Sequence, residues 1–171
     1  PDCRRNGWAP VTVPGCWEET LGLDIDGAVW FRHECDIPAG WAGRDLTLNL
    51  GPVDDFDTTY FNGEWVGATG PETPDASLVP RSYAIPGRLV RTGRAVIAVR
   101  VFDRHNRGGF VASNPFQMAL VAPEGILPER LPIAGTTHHA GEVADPASRC
   151  GWEHTMYGVD MRREGAQAWY D

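Results

Sequence analysis

Asp24, Asp26, Asp54, Asp55 and Asp57 crowd the first third of a 171-residue chain. Carboxylates at this density can supply the pair that glycosidic-bond hydrolysis places on either side of a sugar. They admit other chemistry as well. Asp54 and Asp55 follow Gly51-Pro52, a turn setting in which Asp side chains cap nearby backbone N–H groups, and Asp57 would brace the next hairpin by the same means. Hard carboxylate oxygens also suit Ca²⁺, and they accept hydrogen bonds from sugar hydroxyls. Local bracing is the reading adopted, with no metal or other cofactor expected.

Nucleophilic catalysis is harder to build. It needs a hydroxyl or thiol activated by an imidazole that a carboxylate orients. The chain has Ser77, Ser82, Ser113 and Ser148; none follows Gly-Asp and none stands in G-x-S-x-G. No Asp is followed three residues later by His. His138-His139, Cys150 and His154 are spaced too loosely for a defined metal set. Cys3, Cys16, Cys35 and Cys150 share no C-x-x-C spacing, so zinc is not expected, and a Cys3–Cys16 bridge and free thiols both remain open. No catalytic residue is assigned.

Groups suited to binding are easier to find. Trp17, Trp30 and Trp65 offer rings for the apolar face of a pyranose, although tryptophans on strands more often pack in a core. Arg32, beside Trp30, can grip a carboxylate in two-point fashion, or pair with an acidic neighbour such as Asp26. Arg81 and Tyr83 follow a long loop and are the leading candidates for contact with a carbohydrate or with a neighbouring domain.

Composition narrows the partners. The net charge is −8, with 23 acidic residues against 15 basic ones, all of them arginine. Without a concentrated basic surface, nucleic acid is not an expected partner. No run approaches the ~20 apolar residues of a membrane-spanning helix, so no membrane partner is expected. The opening Pro1-Asp2-Cys3-Arg4 shows no leader pattern and reads as a cut inside a longer chain. Twenty Gly and fourteen Pro call for many turns and short strands.

Those strands are legible. Residues 28–37 alternate, with Val29, Phe31, His33, Cys35 and Ile37 on one face and Trp30, Arg32, Glu34 and Asp36 on the other. Leu46 to Leu50 alternates too, and the breaker pair Gly51-Pro52 should end it. Asn62-Gly63, between Thr58–Phe61 and Glu64–Gly67, is a strong hairpin signal because both turn residues must take positive φ. Arg81–Ile85 and Phe116–Val121 are short strands, and the nearly all-apolar Ala95–Phe102 should lie mid-sheet with both faces covered. The fold expected is all-β, an antiparallel jelly-roll sandwich over 1–121. Prolines 123, 128, 132 and 146 break the remainder, so 122–171 is expected to be an irregular extension with at most a weak helix at Met156–Trp169.

Several phrases go beyond a generic sandwich. Trp8 with Val11-Thr12-Val13-Pro14-Gly15-Cys16-Trp17-Glu18, Trp30-Phe31-Arg32 before Ile37-Pro38, and Asp57 to Gly67 resemble the jelly-roll, galactose-binding-like sugar-binding domain of glycoside hydrolase family 2. The segments Gly22–Arg32, Leu50–Gly63, Arg81–Gly87 and Ile97–Asp103, with Gly108-Gly109-Phe110, resemble more closely the copy of this domain in bacterial sialate O-acetylesterases, the sialic acid-specific 9-O-acetylesterases. The resemblance covers about residues 8–120. It implies a non-catalytic accessory domain that flanks a sugar-ester site, with a sialylated glycan as ligand and an SGNH-type hydrolase domain as partner in a periplasmic or secreted bacterial parent. Neither the esterase Gly-Asp-Ser and D-x-x-H elements nor the Asn-Glu dipeptide of the family 2 barrel is present. A stand-alone carbohydrate-binding module and the sugar-binding domain of a family 2 glycosidase are the alternative readings.

Overall fold

Alternation of apolar and polar residues builds this molecule. The computed structural model describes residues 9–22, 24, 26–114, 117–134 and 137–141. In chain order its strands are β1 (Ala9–Thr12), β2 (Gly15–Cys16), β3 (Gly27–Ile37), β4 (Leu46–Asp54), β5 (Phe56–Phe61), β6 (Glu64–Thr69), β7 (Pro80–Ile85), β8 (Gly93–Asp103), β9 (Gly109–Phe110), β10 (Ala119–Val121), β11 (Arg130–Pro132) and β12 (Thr137–Gly141). One sheet runs β1-β12-β3-β8-β5-β6, and the other runs β11-β10-β4-β9-β2 with β7 also paired to β4. Every pairing is antiparallel. Among the described residues, no helix is long and apolar enough to cross a membrane.

The core forms between the inner faces of the two sheets. Val29, Phe31 and Ile37 of β3 and Ala95, Ile97, Val99 and Val101 of β8 meet Leu46, Leu48, Leu50 and Val53 of β4 and Ile85 of β7. Phe31 packs edge-on against Phe110, with centroids 4.9 Å apart. Burying one such side chain contributes about 1.5–3 kcal/mol. β8 lies between β3 and β5, paired with β3 over its whole length. The outer-face residues Trp30, Arg32, Tyr60 and Arg100 are buried too, so both faces of the central strands are covered.

Two sequence expectations need correction. β4 does not end at Gly51-Pro52 but runs on to Asp54. Gly51 takes φ +70° and the register steps between Asn49 and Gly51, so the pair makes a β-bulge, which bends a strand without ending it. The sandwich also does not close at residue 121. β11 folds back on β10, β12 inserts between β1 and β3, and Ala122 and Ile133 join the core. Prolines 128 and 132 sit at a loop and at the end of an outermost strand, where a missing N–H costs nothing. The expected helix at Met156–Trp169 lies outside the described residues.

Candidate functional site

Strand parity turns Asp57 of β5 and Arg81 and Tyr83 of β7 toward the interior, one from each sheet. Arg81 Nε donates to Asp57 Oδ1 at 2.9 Å, with both side chains fully buried. Its Nη2 donates to the carbonyls of Val53 (3.0 Å) and Asp55 (2.8 Å), and Nη1 donates to those of Ala76 and Val79. All five guanidinium donors are therefore used. Thr59 Oγ1 donates to Asp57 Oδ2 at 2.7 Å and Tyr83 Oη lies 2.9 Å from both carboxylate oxygens. Tyr83 spends its proton on Asp57, so Thr69 Oγ1, 3.0 Å away, donates to Tyr83. Burial pushes the Asp57 carboxyl upward, against the pull of Thr59, Arg81 and Tyr83. Burial first, and then the charge of Asp57, push the Tyr83 phenol well above its usual range.

This network stitches the two sheets together. Arg81 has no donor directed to solvent, so its expected role as a ligand contact gives way to that of a brace. Asp57 also braces, but through a buried ion pair rather than by capping local backbone. The rest of the expected set is dispersed. Trp17 is fully buried, 6.4 Å from the Phe31 ring, and presents no stacking face. Arg32 is 4 % exposed and forms its ion pair with Glu34 at 2.5 Å, while Asp26 lies exposed just before β3. Trp30 packs on Tyr60 at 6.0 Å, and Trp65 is 56 % exposed.

At the far end of β5, Asn62 and Gly63 take φ +50° and +82° in the hairpin turn. The Asn62 side chain accepts from Val96 N–H at 2.8 Å and donates to Leu89 O at 3.1 Å, tying the turn to β8.

The opposite end of the sandwich holds chemistry that the sequence reading passed over. β4 ends at Asp54, β8 ends at Asp103 and the 104–108 loop follows. Asp55 N–H donates to Phe102 O at 3.1 Å, which draws the two strand ends together. Asp55 Oδ2 accepts from Arg104 N–H at 3.0 Å and lies 3.5 Å from Arg104 Nε; the Arg104 guanidinium also covers the Phe56 ring at 5.0 Å. Glu18, on the helical turn Trp17–Thr20, accepts from Gly108 N–H at 3.2 Å. Gly108 is obligatory, because a Cβ there would fall 2.0 Å from the Trp17 ring.

Asp103 is the focus of this end. It is fully buried; Oδ1 accepts from His105 N–H at 3.1 Å, but Oδ2 has no hydrogen-bond partner among the described residues. Burial pushes its carboxyl up to about 6, with the charges of Asp55, Asp54 and Asp26 adding to the effect and the His105 N–H opposing it. Burial and then Asp55 raise Asp54 as well, and burial raises the free Cys16 thiol. An unpaired carboxylate oxygen accepts hydrogen bonds, which sugar hydroxyls donate. Among the described residues, no cluster of three or more His, Cys, Asp or Glu is arranged to hold a metal ion. Cys3, Cys150 and His154 lie outside the described residues. One sequence signal pointed here: the nearly all-apolar strand Ala95–Phe102 runs straight into the polar segment Asp103-Arg104-His105-Asn106-Arg107.

The architecture is that of an all-β antiparallel jelly-roll sandwich. No protein-family profile matches the chain. Among solved structures, it superposes on part of an α-L-rhamnosidase from Streptomyces avermitilis solved with L-rhamnose, with a TM-score of 0.57 and 16 % identity over 86 % of this chain and 13 % of that one. Weaker likenesses are to a family 2 β-galacturonidase from Eisenbergiella tayi, TM-score 0.47 and 14 % identity over 80 % and 23 % of the two chains, and to a β-glucuronidase from Bacteroides uniformis, TM-score 0.46 and 20 % identity over 57 % and 13 %. The chain thus spans less than a quarter of each of these proteins. At these identities the rhamnosidase likeness establishes the shared fold.

Proposed function

We propose that this chain is a non-catalytic, sugar-facing accessory domain of a larger glycosidase, with the Asp103 end of the sandwich turned toward the sugar. The observation that carries the reading is the buried Asp103 carboxylate with one oxygen unpaired. Leaving a buried polar atom unpaired costs about 1–3 kcal/mol, more if it is charged, and such costs persist where a ligand or partner completes the site. The sandwich shared with part of a rhamnosidase, and the family 2 phrases around Trp17 and Asn62-Gly63, support it. Catalysis is assigned to the parent's other domains, since the sequence carries neither the Asn-Glu dipeptide of the family 2 barrel nor a serine in a nucleophile motif.

A narrower reading rests on the motif series from Gly22 to Asp103: the parent is a sialate O-acetylesterase, and this domain flanks an SGNH-type hydrolase acting on a sialylated glycan. The coding sequence on either side separates the two. An immunoglobulin-like domain and a (β/α)₈ barrel select the glycosidase. A hydrolase with Gly-Asp-Ser and D-x-x-H elements selects the esterase, and an unrelated neighbour on both sides refutes both.

A further inference from the structure

The solvent face of the second sheet carries a cleft that the Asp103 end does not use. About 380 Å³ in volume, it is lined by Asn49, Ser82, Gln117, Val121, Glu129 and Arg130, among others. Leu46, Leu48 and Leu50 point into the core, so Asn49 points out, and Ser82 is its register partner on β7. Arg130 is opposite Val121 across the β10–β11 pair. The cleft therefore crosses four strands, β7-β4-β10-β11.

Its shape is built in. The bulge in β4 leaves Leu50 without a β7 counterpart, and a bulge bends the strand that carries it. A Cβ on Gly51 would lie 2.7 Å from that of Ala112, which holds this position to glycine. Beneath the floor, the buried Arg81 network fixes β7 to β4 and β5. The opposite wall is pinned by Ala122 N–H to Glu129 O and by Trp41 Nε1 to Pro128 O, each 2.9 Å. A preformed surface of this kind spends little free energy on ordering when it binds.

The chemistry of the lining selects a ligand. Asn49 and Gln117 each offer a donor and an acceptor, Ser82 does the same, and Glu129 and Arg130 lie at one margin. Sugar hydroxyls have this dual character. The volume falls at the small end of the roughly 300–1,000 Å³ of ligand pockets, and no aromatic ring is among the described lining residues. We propose that this cleft is a second saccharide site, which takes a short neutral oligosaccharide laid across the strands and reads its hydroxyls through Asn49, Ser82 and Gln117. The inference rests on the carbohydrate reading above.

The test is binding of the 171-residue chain to immobilised neutral gluco-, galacto-, manno- and xylo-oligosaccharides of two to four units. Asp103→Asn, which silences the other proposed sugar end, serves as the parent and is compared with Asp103→Asn/Asn49→Ala and Asp103→Asn/Ser82→Trp, each checked by its melting curve. The parent should bind at least one oligosaccharide. Adding Asn49→Ala should weaken it about fivefold, the equivalent of one hydrogen bond, and adding Ser82→Trp, which fills the cleft, should abolish it. Binding that survives Ser82→Trp in this parent, or that Asp103→Asn alone removes from wild type, overturns the cleft while leaving the accessory-domain reading intact. Silence of wild type on every oligosaccharide overturns the cleft as well; the Asp103 end is then judged by its own monosaccharide titration.

Discussion

Replacing Arg81 by Ala should be among the most damaging single changes to this fold. It strands the Asp57 carboxylate in the core and takes donors from four carbonyls, those of Val53, Asp55, Ala76 and Val79. Removing one member of a buried ion pair costs about 3–5 kcal/mol. For a chain of this length, where each kcal/mol moves the midpoint by about 2–4 °C, the melting temperature should fall by roughly 6–20 °C. Urea unfolding should show the same loss with an unchanged m-value. Arg81→Lys keeps the charge but has three donors instead of five, so it should fall between wild type and Ala. Pairing Arg81→Met with Asp57→Asn should recover part of the loss, since the stranded charge is then gone. A cost below about 1 kcal/mol for Arg81→Ala would match a solvent-facing arginine and refute the brace.

Other changes probe separate features. Asp103→Asn should stabilise the chain by about 1–3 kcal/mol at pH 7.5, because a carboxyl raised to about 6 opposes folding once ionised. That gain should shrink as pH falls from 6 and vanish below about 4, where both states hold the proton; a gain independent of pH would contradict the assignment. Gly108→Ala should cost about 1–3 kcal/mol through overpacking against Trp17, and a melting curve like wild type would show that the ring moves aside freely. A chain stopped at Val121 loses β11, β12 and the core residue Ile133. It should lose cooperative unfolding, and a sharp two-state transition would restore the domain boundary at 121.

The elements that the sequence disclosed are those governed by local rules. β3, β8 and the Asn62-Gly63 hairpin depend on side-chain period and on the φ that a two-residue turn demands, and each is written in adjacent residues. Gly51-Pro52 misled because the same dipeptide that ends a strand also bulges one, and only its partner strands decide between the two. β12 was hidden because Thr137-His138-His139-Ala140-Gly141 has no apolar alternation. Its place between β1 and β3 comes from pairing across more than a hundred residues.

The candidate site was less legible for a related reason. Arg81 and Tyr83 were singled out from their place after a loop, but their parity on β7 sends them inward to Asp57, 24 and 26 positions earlier. Asp103 closes a largely apolar strand, and nothing within its own segment announces an unpaired, buried oxygen. Its environment comes from Asp54 and Asp55, brought alongside by the β5–β8 pairing.

The central claim, that the Asp103 end faces a sugar, is tested most directly by a ¹H–¹⁵N NMR titration of the chain. The probes are free galactose, glucose, rhamnose, galacturonate, glucuronate and N-acetylneuraminate. At least one should shift the amides of Arg104, His105 and Gly108 in a saturable way, and Asp103→Asn should remove the effect while leaving the spectrum of the core unchanged. Titrations that leave those amides still for every sugar, or shifts that persist in Asp103→Asn, would contradict the account.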